Sequence, residues 1–113
     1  MMMPRQPTLK HGLDEAELAQ LKQLLRPFAG RIERVCLFGS RAQGTHKPYS
    51  DVDLVLMGPL TQVDVNALHS VFLESALPFK VDVLAYALIT QAALKAHVDA
   101  VALCLFEGAD LLG

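Results

Sequence analysis

The sequence predicts an α/β fold (α+β in detail), a small mixed β-sheet with helices packed on it. Two observations predict it. Apolar residues recur at helical spacing before residue 30 and again between about 62 and 75. Three short runs rich in β-branched and apolar residues, 32–38, 51–57 and 79–86, alternate with those stretches, and the first two stop at Gly39 and at Gly58-Pro59. The order αβ(loop)βαβα(β) is that of helices covering one sheet.

Residues 1–12 hold two prolines, a glycine and no periodicity, and are expected to form a loose, flexible arm, leaving 13–113 as a single domain. Asp14 and Glu17 have capping-box spacing, and Leu18, Leu21, Leu24, Leu25 and Phe28 follow at helical intervals, so a helix is expected over about 15–26. Ile32 to Phe38 reads as a buried strand, and residues 39–50, with two glycines, a proline and two serines, as a loop with one helical turn. Asp51 to Met57 alternates acidic and apolar residues before turning wholly apolar, the pattern of a strand with one functional face. Thr61 with Asp64 repeats the capping spacing ahead of a helix over about 62–75.

In the third strand, Phe79 to Tyr86, the phase sends Phe79, Val81, Val83 and Ala85 one way and Lys80, Asp82, Leu84 and Tyr86 the other. Thr90 is expected to cap a helix over about 91–99. Val101 to Phe106 fits either a last edge strand or a continuation of that helix, and the strand is favoured.

Composition narrows the function. With 113 residues the chain has the size of one domain. Ten Lys and Arg against twelve Asp and Glu give a net charge of −2, which argues against direct nucleic-acid binding. Apolar residues make up 52% and mean hydropathy is +0.32, so some apolar surface is expected to be left for a partner. No apolar run approaches the roughly 18 residues of a membrane span, and the start lacks a signal-peptide core, so the expected location is cytoplasmic. Cys36 and Cys104 each lie in an apolar stretch and are expected to be free buried thiols. The four histidines show no zinc-ligand spacing.

Three carboxylates and one glycine-serine turn carry the chemistry. Asp51 and Asp53 are two apart on a strand, so both leave the same face, with Cα atoms roughly 6.5–7 Å apart. Carboxylates so placed repel unless a cation lies between them, and hard oxygen ligands suit Mg²⁺, which shares its shell with water and substrate phosphates. Asp82, the acid of the third strand, is the natural third ligand of a two-ion site and a candidate proton acceptor. Gly39 and Ser40 end a strand and open a helical turn that can aim backbone N–H groups at an anion, with Arg41 beside them. Lys80 shares the face of Asp82 and reads as its counter-ion or as a phosphate contact. Tyr49 and His46 read as ordinary loop residues. A P-loop is absent from the sequence.

Gly-Ser-x-Ala-x-Gly from Gly39, then Ser-Asp-x-Asp-Leu from Ser50, then a single Asp at 82 between apolar strand residues, resembles the signature of the DNA polymerase β-type nucleotidyltransferases. The length is similar to that of their minimal nucleotidyltransferase branch, whose members pair as antitoxins with helical HEPN-type toxins. The resemblance implies a polymerase β-like nucleotidyltransferase core. It implies transfer of AMP from ATP to a tyrosine hydroxyl of the partner, with two Mg²⁺ ions as cofactors. Carried over by position, Gly39 and Ser40 would contact the β and γ phosphates, Asp51 and Asp53 would bind both ions, and Asp82 would complete the catalytic one. Arg41 stands at a variable position of the motif and is expected to contact a phosphate. Two alternatives stay open: an antitoxin that works by binding alone, and a small-molecule nucleotidyltransferase that needs a second subunit.

Overall fold

A computed structural model describes residues 12–44 and 51–112. The expected arm therefore lies outside the described residues except for Gly12, as do His46, Tyr49 and Ser50.

Helix α1 spans Glu15–Leu25, and its start follows the expected chemistry. The Asp14 carboxylate accepts from the Glu17 amide while the Glu17 carboxylate accepts from the Asp14 amide, a reciprocal box. A 3-10 turn over Arg26–Arg31, with Pro27 near its start, ends the helix. Strand β1 is Arg34–Phe38, followed by the single turn α2, Ser40–Gln43, the helical turn expected in the 39–50 loop. Strand β2 (Val52–Met57) leads to α3 (Gln62–Leu73), capped reciprocally by Thr61 and Asp64.

Strand β3 is Val81–Ala85, shorter than expected because Tyr86–Leu88 leaves the sheet as a 3-10 turn. Helix α4 spans Ala92–Val101, and β4 spans Leu103–Glu107, so the ambiguous last segment is a strand that starts two residues later than expected. Thr90 is not the cap of α4. Gln91 holds that position with no side-chain bond to the helix: the 3-10 turn Tyr86–Leu88 gives way to an extended Ile89, and the helix opens at Ala92, one residue later than a Thr90 cap would start it.

The sheet is mixed, in the order β3-β2-β1-β4, with β1 antiparallel to both neighbours and β2 parallel to β3. Strand alternation divides its residues between two faces. One face carries Val35, Leu37, Val52, Leu54, Leu56, Val81, Val83 and Ala85, packed with Leu21 and Leu25 of α1 and with Val65, Leu68 and Phe72 of α3. On the other face a smaller cluster joins Cys36 and Val55 to Val98 of α4, with Phe38, Met57, Leu84 and Leu94 around it. Asp53 and Asp82 share the alternation of this second face.

Cys36 and Cys104 form a disulfide, which corrects the expectation of two free thiols. The register sets Cys36 of β1 directly opposite Cys104 of β4, just past a register shift between Val35 and Cys36. Each thiol lies in an apolar stretch, but the sheet order makes them cross-strand neighbours, and only the pairing of β4 with β1 reveals this.

Candidate active site

The site begins where β1 ends. Gly39 has φ +81°, a conformation L side chains rarely adopt, and a Cβ added there would come within 2.7 Å of the Asp53 Oδ2. The glycine therefore lets the β1–α2 turn lie directly against the Asp53 carboxylate. Ser40 opens α2 immediately after it. Phe38 is paired with Asp53 across the antiparallel β1–β2 ladder, so turn and carboxylate are held together by sheet register.

The parallel β2–β3 ladder aligns Asp53 with Asp82, setting two carboxylates side by side on adjacent strands. The Lys80 Nζ lies 3.7 Å from Asp82 Oδ1, the counter-ion arrangement its strand phase suggested, and both side chains are substantially exposed. Asp51 stands just ahead of β2 and is exposed. Partial burial raises the Asp53 pKa above the ordinary carboxylate value, the charges of Asp82 and Asp51 push it further, and Lys80 partly offsets them. The charges of Asp51 and Asp82 thus both reach Asp53.

An open cleft of about 340 Å³ adjoins them, lined by Phe38, Asp53, Leu54, His69, Asp82, Val83, Leu84 and Leu94. It combines two carboxylates with an apolar wall. The donor set is oxygen only and mutually repulsive, which fits a hard divalent cation. Among the described residues no group of three or more His, Cys, Asp or Glu side chains is gathered closely enough to hold a metal ion. Mg²⁺ takes part of its shell from water and phosphate, so two carboxylates can contribute to holding it.

Arg41, expected to contact a phosphate, is buried. It is 4% exposed, with its guanidinium 5.2 Å from the Phe79 ring centroid; burial lowers its pKa, and Glu17 partly opposes that. His69 is the residue that sequence reasoning passed over. It lines the cleft and its Nε2 accepts the Val83 N–H at 3.1 Å, a contact set by the docking of α3 on β3 with no signal in local spacing.

A glycine turn thus packs on a strand carboxylate, with a second carboxylate in register on the next strand. The chain belongs to the nucleotidyltransferase domain family, whose model matches residues 18–103. It is similar to the probable protein adenylyltransferase MntA of Haemophilus influenzae, 40% identical over 73 residues. That match covers 63% of this chain, and the chain spans 63% of the length of that relative.

Among solved structures it resembles a toxin-antitoxin crystallised with AMP-PNP, with a TM-score of 0.65, 24% identity, and coverage of 88% of this chain and 85% of that one. It also resembles the toxin-antitoxin MntA-HepT, with a TM-score of 0.62, 18% identity, and coverage of 88% and 84%. These two likenesses establish the shared fold. No helix among the described residues is long and apolar enough to cross a membrane.

Proposed function

We propose that this chain is a Mg²⁺-dependent nucleotidyltransferase that moves AMP from ATP to a hydroxyl, a tyrosine, of a HEPN-type toxin and acts as its antitoxin. The observation that carries the reading is the convergence on Asp53: Gly39 backs its carboxylate, and Asp82 flanks it in register. The similarity to MntA and to toxin-antitoxin structures supports the partner class.

In this reading Asp51 and Asp53 would hold two ions and Asp82 would complete the catalytic one. When bound, Mg²⁺ offsets phosphate charge and stabilises the attacking and leaving oxygens. Gly39 and Ser40 receive the β and γ phosphates at the turn that lies against the Asp53 carboxylate. The acceptor oxygen forms a bond to the α-phosphorus as the bond to pyrophosphate breaks. Asp82, half exposed beside the cleft, takes the hydroxyl proton. The burial of Arg41 over Phe79 supports a role as a buttress of α2, holding the phosphate turn from behind. The apolar wall of the cleft suits an aromatic ring carrying the acceptor.

Intact-mass analysis of the co-purified partner, before and after incubation with ATP and Mg²⁺, tests this. The partner should gain one or more AMP units, and the Asp51→Ala, Asp53→Ala double variant should slow transfer by about a hundredfold or more. A stable complex whose partner gains no mass would overturn the catalytic reading and leave an antitoxin that works by binding.

A further inference from the structure

We propose that His69 is a positioning residue for Asp82, acting through the backbone amide that joins Asp82 to Val83. The proposal rests on the transferase reading of the same carboxylates.

Strand β3 is an edge strand, with β2 as its ladder partner. The Val52 amide donates to the Lys80 carbonyl, so Lys80 directs its backbone toward β2. Asp82, two residues on, has the same orientation, and Val83 between Asp82 and Leu84 directs its N–H to the open edge. There the His69 Nε2 accepts it at 3.1 Å. That N–H belongs to the peptide bond of Asp82 itself, and the peptide is trans, so the carbonyl of Asp82 points back toward β2. The plane is then held from both sides. Fixing it fixes the backbone at Asp82 and with it the direction and rotamer of the carboxylate.

Helix α3 places the histidine for this task. Val65, Leu68 and Phe72 form its buried stripe, and His69 lies one position past Leu68, at the margin of the stripe. Its ring lines the same cleft as Asp53 and Asp82. An edge-strand N–H bonded only to water leaves a peptide free to rock, whereas a side-chain acceptor on a packed helix anchors it. Among the described residues, the ion pair of the Asp82 carboxylate is its exposed contact to Lys80 at 3.7 Å.

The test compares the full chain with its His69→Ala and His69→Gln variants, since a glutamine oxygen can still accept the Val83 N–H. Hydrogen exchange of the Val83 amide and the Asp82 χ1 couplings are read by NMR, and kcat and KM for ATP are read with the partner. His69→Ala should speed Val83 exchange about tenfold and average the Asp82 rotamers. It should lower kcat about tenfold while KM for ATP moves less than about twofold, and His69→Gln should restore every reading.

A protected Val83 amide and a single Asp82 rotamer in His69→Ala would overturn the proposal whether or not the chain transfers AMP. So would averaged rotamers with an unchanged kcat in an active protein, or a loss that glutamine fails to rescue. Absence of transfer by the wild-type chain would overturn the functional reading instead, and the NMR readings would still decide the role of His69.

Discussion

Asp53 shows how the fold holds one residue in an electrostatically unfavourable state. Its carboxylate is partly buried and faces the charges of Asp82 and Asp51, so its folded pKa lies above the ordinary value. The folded state therefore binds that proton more tightly than the unfolded chain, for which a carboxylate titrates near 3.9. Stability from this group is greatest below that value and falls as pH rises through the folded pKa. Asp53→Asn removes the penalty, so without divalent cation its Tm should exceed that of the wild type near neutral pH. The gain should vanish as pH falls below about 4. Adding Mg²⁺ should raise the wild-type Tm and leave the variant's unchanged. Thermal melts over a pH series, with and without MgCl₂, check both statements; a variant less stable than the wild type at neutral pH would contradict the electrostatic account. That Asp53 and Asp82 share a face was legible in the sequence because their strand positions determine it. The partner of Arg41 was not, because Phe79 reaches it from across the fold.

At the scale of elements, legibility follows how local the determining interaction is. Helices α1 and α3 start where the sequence places them because their capping boxes close within three residues, at Asp14 with Glu17 and at Thr61 with Asp64. Strand β4 was ambiguous because its apolar run suits a strand or a buried helix equally, and pairing with β1 decides the matter. Asp64 joins the local to the distant: besides capping α3 it accepts from the Arg31 guanidinium, fastening the 3-10 turn after α1 to the start of α3. The Thr61 backbone amide above all, then the Thr61 hydroxyl and Arg31, hold its pKa below the ordinary value against the opposing effect of burial. A depressed folded pKa contributes stability that is present above the unfolded value near 3.9 and is lost as pH falls through the folded one. Asp64→Asn should therefore lower Tm by several degrees at neutral pH, with the gap to the wild type closing as the solution is acidified below the folded pKa. A gap that is constant with pH would assign the loss to packing instead of charge.

For the whole molecule, the two faces of the sheet have different duties. Helices α1 and α3 cover one face with the main core, while α4 covers part of the other and leaves Asp53 and Asp82 partly exposed beside the cleft. Helix α4 runs directly into β4. The disulfide from Cys36 to Cys104 ties that edge strand to the central one across 68 positions of sequence. A cross-link over a span of that length restricts the unfolded chain and contributes about 4 kcal/mol in the chain-entropy account. Reduction should lower Tm accordingly, and its first structural effect should be to loosen β4 and α4, seen as faster amide exchange there than in β2. Such bonds persist in oxidising surroundings, whereas a reducing cytoplasm would hold the pair as two thiols and the edge as the looser form. Alkylation with iodoacetamide under denaturing conditions separates these states. Protein kept from reductant should take up no label and reduced protein two, matching its two cysteines; two labels without prior reduction would show that the edge is held by β1–β4 hydrogen bonds and Val98 packing alone.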